Sequence, residues 1–106
     1  MNRNYQILAN LKNYLRRNFG KCVADVILFG SQARNDSDEF SDYDVLIILD
    51  SNYSTSDENR ILDLCYDIDL KYDILLDVHI LSVSEIDSLR GRQPIFQNAI
   101  KYGIYA

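Results

Sequence analysis

The feature that most constrains the fold is a set of three short apolar runs rich in β-branched residues and bounded by polar turn residues. They lie at 22–29, 44–50 and 74–81. Such runs are typical of buried strands. The second run is apolar at successive positions, which a strand requires when it lies at the centre of a sheet and is covered on both faces.

The segments around these runs carry apolar residues at helical spacing. Helices are expected over 4–19, over a short turn in 32–41, from a capping box formed by Thr55 and Glu58, from Ser82 or Ser84, and from Pro94 to Gly103. The predicted order is α-β-α-β-α-β-α-α. This order indicates an α/β fold in which an open sheet is covered by helices, in one domain spanning 1–106.

Charge narrows the classes of function. The chain has 11 Lys+Arg against 16 Asp+Glu, and fifteen of the acidic residues lie in 36–87. A general nucleic-acid binder would need a basic surface to neutralise phosphates, so the balance argues against that class. The acidic middle of the chain instead favours binding of a cation.

Targeting signals and cysteine spacing give a further expectation. The N-terminal segment lacks the continuous apolar core of a signal peptide, and no run approaches the roughly 20 apolar residues that span a bilayer. Cys22 and Cys65 have no zinc-type spacing and lie in apolar patterns. A cytoplasmic protein without a membrane segment is expected. Because so short a chain buries only about two-thirds of its unfolded surface, binding to a partner or self-association is also compatible with the sequence.

Pairs of aspartates two residues apart occur three times, at 36/38, 42/44 and 67/69. The first pair lies in a polar loop and the last at a helix end, where residues two apart do not share a face. Only Asp42 and Asp44 lead directly into a buried strand, in which residues i and i+2 point to the same side. These two carboxylates are therefore expected to converge on a hard divalent cation, or on a pair of them.

Gly30 and Ser31 end the first predicted strand. A glycine lets the backbone approach an anionic group closely, the serine hydroxyl can donate to that group, and N–H groups of a following helical turn would point to the same place. The pattern is compatible with phosphate binding. An ordinary turn at the end of a strand is the alternative.

Asp77 lies inside the third apolar run. A carboxylate in such a strand is costly unless it is paired, hydrogen-bonded or bound to metal. If its strand neighbours that of Asp44, a triad of acids results, and exposure of Asp77 on an open face is the alternative. His79 shares the face of Asp77, but it is expected to be structural or peripheral because Mg²⁺ prefers oxygen ligands.

Together these residues resemble a known family. The segment FGSQARNDSDEFSDYDVLIIL, residues 29–49, is similar to the GSxAR…SDxD signature of the minimal nucleotidyltransferases, small members of the DNA polymerase beta-like superfamily. The C-terminal segment RQPIFQNAIKYGIYA also resembles the last helix of these proteins. The family often has glycine where this chain has Asn35, a residue that tolerates left-handed backbone angles.

The resemblance implies a nucleotidyltransferase-like mixed sheet and a role for each motif residue. Gly30 and Ser31 would hold the β- and γ-phosphates of ATP, with Arg34 either neutralising phosphate charge or pairing with the acids. Asp42, Asp44 and Asp77 would bind Mg²⁺, two ions in all, and Asp77 would help to deprotonate the attacking hydroxyl.

The acceptor is the least determined part. The family implies that AMP is transferred to a tyrosine of a helical HEPN-family toxin, with this chain as the antitoxin. One alternative is a non-catalytic module that neutralises its partner by masking it. Another is nucleotidyl transfer to a small hydroxylated molecule. Tyr53, Tyr72 and Tyr102 are candidates for stacking on the nucleotide base.

Overall fold

The computed structural model describes residues 3–30, 42–88 and 90–106. Its elements follow one another as α1 (Arg3–Asn18), β1 (Val23–Phe29), β2 (Tyr43–Leu49), α2 (Thr55–Tyr72), β3 (Leu76–Ser82), a single 3₁₀ turn (Val83–Glu85), α3 (Pro94–Tyr102) and β4 (Ile104–Tyr105). The predicted helical turn at 32–41 lies outside the described residues. For the rest, the α/β fold and the order of its main elements are confirmed.

The four strands form one mixed sheet in the order β3-β2-β1-β4. β1 runs antiparallel to both β2 and β4, whereas β2 and β3 are parallel. Parallel neighbours need a long crossover connection, and α2 supplies it. β2 therefore lies between two strands, as its apolar sequence predicts.

Side chains that alternate along β2 divide the core between the two faces of the sheet. Val45, Ile47 and Leu49 pack with the buried faces of α1 and α2. Leu46 and Ile48 pack on the opposite face, against Phe96 and Ala99 of α3 and their neighbours. Helices thus cover both faces, and none in the described part of the chain is long and apolar enough to cross a membrane.

The start of α2 differs from the prediction. Ser54, not Thr55, caps the helix: its side chain accepts a hydrogen bond from the N–H of Asp57, and the Asp57 carboxylate accepts one from the N–H of Ser54. Ser54 has the extended backbone, φ −95° and ψ 171°, that a cap residue needs. Thr55 is already the first residue of the helix.

The ends of the sheet also differ in detail. Asp73 ends α2 in the left-handed conformation, with φ 54°, and the N–H of Ile74 still bonds to the carbonyl of Asp69. β3 consequently begins at Leu76, two residues later than the apolar run. β4 was not expected from the sequence, because two residues after Gly103 are too few to show a strand pattern.

Candidate active site

Asp44 and Asp77 lie side by side because their strands are parallel neighbours in register. Asp44 pairs with Asp77, and two residues farther along Leu46 pairs with His79. Residues two apart on a strand share a face, so His79 lies on the same side as the two carboxylates. Tyr43 points to the other side, where it is buried and donates a hydrogen bond to the side chain of Asn4.

The side chains of Asp44, Asp77 and His79 form a compact cluster. One ligand atom from each lies within 4.8 Å of the other two. Partial burial and, next, the nearby charge of Asp77 raise the pKa of Asp44. The fold therefore holds like charges together at a cost in stability, an arrangement that a bound cation would relieve.

Gly30 lies directly against this cluster. It follows Phe29, which pairs with Asp44 across β1 and β2, and its φ of +75° is in the left-handed region. A Cβ at this position would lie 2.2 Å from Oδ2 of Asp44. Glycine is thus required both by the backbone angle and by the Asp44 carboxylate, which occupies the space that a Cβ would fill.

The sequence predicts the face on which His79 lies but not a role for it at the site. Its Nε2 lies 3.6 Å from Oδ2 of Asp77, and its ring contacts Phe29 and Phe96, each with ring centroids 5.8 Å apart. The alternation of the third run had already put His79 on the face of Asp77. That signal was sufficient to place it at the site, but the preference of Mg²⁺ for oxygen argued against a functional role.

The other predicted site residues are not all placed. Asp42 is exposed immediately before β2, and its charge contributes to the raised pKa of Asp44. It is not part of the 4.8 Å cluster found among the described residues. Ser31 and Arg34 lie outside the described residues. The structure therefore brings together Gly30, Asp44 and Asp77 of the predicted set.

A cavity of about 520 Å³ adjoins the cluster through Gly30. It lies between the end of β1 and α3, on the sheet face that carries the carboxylates. Its wall combines apolar and aromatic groups with one amide, from Phe29, Gly30, Ile95, Asn98, Ala99, Tyr102 and Gly103. Tyr102 is 71% exposed, and the Nζ of Lys101 lies over its ring, 5.3 Å from the centroid.

Comparison with known proteins decides the family. The family profile of the nucleotidyltransferase domain matches residues 8–103. The chain belongs to this nucleotidyltransferase family. The resemblance seen in residues 29–49 is confirmed. The matched residues include helices on both faces of the sheet, from α1 to α3.

Two relatives from Methanocaldococcus jannaschii are named as candidate protein adenylyltransferases. The chain is 47% identical to MJ0141 over 51 residues, which are 48% of this chain and 52% of that protein. It is 30% identical to MJ0604 over 91 residues, which are 86% of this chain and 85% of that protein. The first match thus spans only about half the length of the relative, whereas the second spans most of it.

A solved structure has the same fold. It is a crystal structure of a mutant of the toxin–antitoxin MntA–HpeT, which matches with a TM-score of 0.58 and 17% identity over 99% of this chain and 72% of the solved chain. The mixed sheet covered by helices is therefore the nucleotidyltransferase fold.

The residues present fit the divalent cation that such a family uses. Two carboxylates and an imidazole nitrogen converge, and carboxylate oxygens are preferred ligands of Mg²⁺ and related ions. The Nε2 of His79 is buried and has no hydrogen-bond partner within the described ranges. A donor atom of this kind, beside two close carboxylates, is suited to a cation.

Proposed function

We propose that this chain transfers AMP from ATP to a hydroxyl group of a partner protein. The observation that carries the proposal is the register of β2 and β3, which sets Asp44 against Asp77 directly beside Gly30. Carboxylates for a cation and a glycine turn for phosphates thus meet at one edge of the sheet. Family membership supplies the class of reaction.

The aspartates of the site would have two roles, cation binding and proton acceptance. Asp44 and Asp77, with Asp42 at the start of β2, would hold Mg²⁺ or a similar ion, two ions in the full site. A cation bound there would neutralise charge on the triphosphate and orient its α-phosphate. The Asp77 side chain is 54% exposed, so it can also accept the proton of an incoming acceptor hydroxyl as that oxygen attacks the α-phosphorus and pyrophosphate leaves.

The phosphates and the base would lie on either side of Gly30. Its backbone, with Ser31 and Arg34, would hold the β- and γ-phosphates. The base would then enter the cavity between β1 and α3, where Tyr102 offers a stacking face and Asn98 an amide. Of the three tyrosines considered for stacking, Tyr102 is the one that lines this cavity.

The acceptor we propose is a tyrosine of a helical HEPN-family toxin. Two findings support this acceptor: both relatives are named as candidate protein adenylyltransferases, and the structural match comes from a toxin–antitoxin pair. In this account the chain acts as the antitoxin.

The experiment combines the purified chain with the product of the gene adjacent to its own, ATP and a divalent cation. Intact-mass analysis should show the partner heavier by one or more AMP groups, with the site on a tyrosine. Asp44→Ala should abolish the gain, and Asp63→Ala, a change at an exposed position of α2, should not. Toxin neutralisation that persists in Asp44→Ala without any mass gain would contradict enzymatic modification and indicate masking.

A further inference from the structure

The Nε2 atom of His79 is a buried polar atom that nothing in the described structure satisfies. Buried polar atoms in native proteins nearly always have a partner, and an exception calls for an unplaced water or ion. Oδ2 of Asp77 lies 3.6 Å from this nitrogen, which is too long for a hydrogen bond.

The ring is held so that this nitrogen faces the carboxylates. Phe29 of β1 contacts the imidazole at one side and Phe96 of α3 contacts it edge-on, both at 5.8 Å between centroids. The strand register fixes its backbone two residues beyond the Asp44–Asp77 pair. The position of His79 is thus determined by groups from three elements rather than by surface packing.

The spacing matches ligands of a single ion. Metal–ligand bonds of about 2.0–2.6 Å place donors on opposite sides of an ion at most about 5 Å apart. The donor atoms of Asp44, Asp77 and His79 all lie within 4.8 Å of one another. One cation can therefore reach all three.

We propose that His79 Nε2 is a further protein ligand of the divalent cation held by Asp44 and Asp77, and that the site consequently prefers a transition-metal ion such as Mn²⁺ to Mg²⁺. The inference rests on the proposed function in that both use the same two carboxylates. Imidazole binds first-row transition metals well, whereas Mg²⁺ favours oxygen and retains water. A nitrogen ligand thus changes which ion the nucleotidyltransferase uses.

The test needs neither nucleotide nor partner. His79 is the single histidine of the chain, so the protein without a purification tag offers one imidazole. Pulsed electron paramagnetic resonance of the chain loaded with Mn²⁺ alone should show hyperfine modulation from a bound imidazole nitrogen. His79→Asn should lose that modulation and weaken Mn²⁺ binding at least about tenfold, with a smaller effect on Mg²⁺.

His79→Gln, which keeps a polar side chain of similar reach, provides a second variant if His79→Asn folds poorly. Circular dichroism establishes the fold of each. Mn²⁺ bound to the wild type without nitrogen modulation, no Mn²⁺ binding at all, or an unchanged Mn²⁺/Mg²⁺ preference in both variants would overturn the inference.

The result is separable from that of the proposed function. Nitrogen modulation without AMP transfer to any partner would contradict the proposed function and leave the His79 ligand supported. AMP transfer without nitrogen modulation would do the reverse.

Discussion

At the scale of single residues, the site depends on a contact between a backbone and a carboxylate. Gly30 and Asp44 approach so closely that a Cβ on residue 30 would lie 2.2 Å from Oδ2 of Asp44. The carboxylate is the free end of a side chain, so it can move aside without unfolding the protein. The position of that carboxylate, rather than the fold, is what Gly30 protects.

Gly30→Ala should therefore abolish AMP transfer and weaken binding of the divalent cation while the protein stays folded. Because alanine is strained at the positive φ of residue 30, the substitution should lower the free energy of unfolding by about 1–2 kcal/mol. Calorimetric titration with Mn²⁺ and urea denaturation measure the two effects.

Gly20→Ala is the matched control, because Gly20 also has a positive φ, +152°, and the nearest atom to its added Cβ is Sγ of Cys22 at 3.8 Å. It should lose stability without losing cation binding. Equal loss of cation binding in both variants would show that backbone strain, not the Asp44 clash, is responsible.

Asp44→Asn should stabilise the protein when no divalent cation is present. Burial and the charge of Asp77 raise the pKa of Asp44, which means that its ionised form is less favourable in the fold than in the unfolded chain. Removing the charge should raise stability by about 1 kcal/mol, or roughly 4–8 °C in Tm for a domain of this size.

Thermal melts in a chelator measure this effect. Asp63→Asn, which removes the same charge from the exposed face of α2, should leave Tm within about 2 °C. Added Mn²⁺ should raise Tm of the wild type and not of Asp44→Asn. A lower Tm for Asp44→Asn than for Asp63→Asn in chelator would contradict the inference that the charge of Asp44, beside Asp77, destabilises the fold.

At the scale of elements, periodicity predicts most helices and strands but not how they begin. Ser54 and Thr55 are both suitable cap residues, each with an acid three positions later. The choice depends on backbone angles set by the turn from β2, which the local sequence does not contain. β3 begins late for a similar reason, because Asp73 ends α2 by turning left-handed.

Ser54→Ala should lower the free energy of unfolding by about 1 kcal/mol, because the N–H of Asp57 loses its acceptor. Thr55→Ala, at the first helical position, should stay within about 0.5 kcal/mol of the wild type. Urea denaturation of both variants is the measurement. A greater loss of unfolding free energy for Thr55→Ala than for Ser54→Ala would instead indicate that Thr55 is the cap, as expected from the sequence.

The site, too, could be predicted from the sequence only in part: the face of each residue on its strand is predictable, but the pairing of the strands is not. Alternation places Asp77 and His79 on one face, and residue spacing places Asp42 and Asp44 before one strand. Neither says that the two strands are neighbours in register, which follows from the α2 crossover. The preference of Mg²⁺ for oxygen argues against a role for His79, and only the structure shows that its Nε2 lies 3.6 Å from the carboxylate of Asp77.

At the scale of the whole molecule, the two faces of the sheet differ: one carries the larger apolar cluster, and the other carries the carboxylates. The face covered by α1 and α2 holds the larger apolar cluster. The face covered by α3 holds a smaller one, and it leaves room at its edge for the carboxylates and the adjoining cavity. One face thus stabilises the fold and the other presents the site.

Nucleotidyl transfer by the Asp44–Asp77 site can be tested directly by following the α- and γ-phosphates of ATP. The chain and the proposed helical partner are incubated with Mn²⁺ or Mg²⁺ and with ATP labelled at either the α- or the γ-phosphate. We expect the α-label to become covalently attached to the partner, the γ-label to be released as pyrophosphate, and Asp77→Asn to abolish both. Attachment of γ-label, or α-label transfer that survives Asp77→Asn, would contradict it.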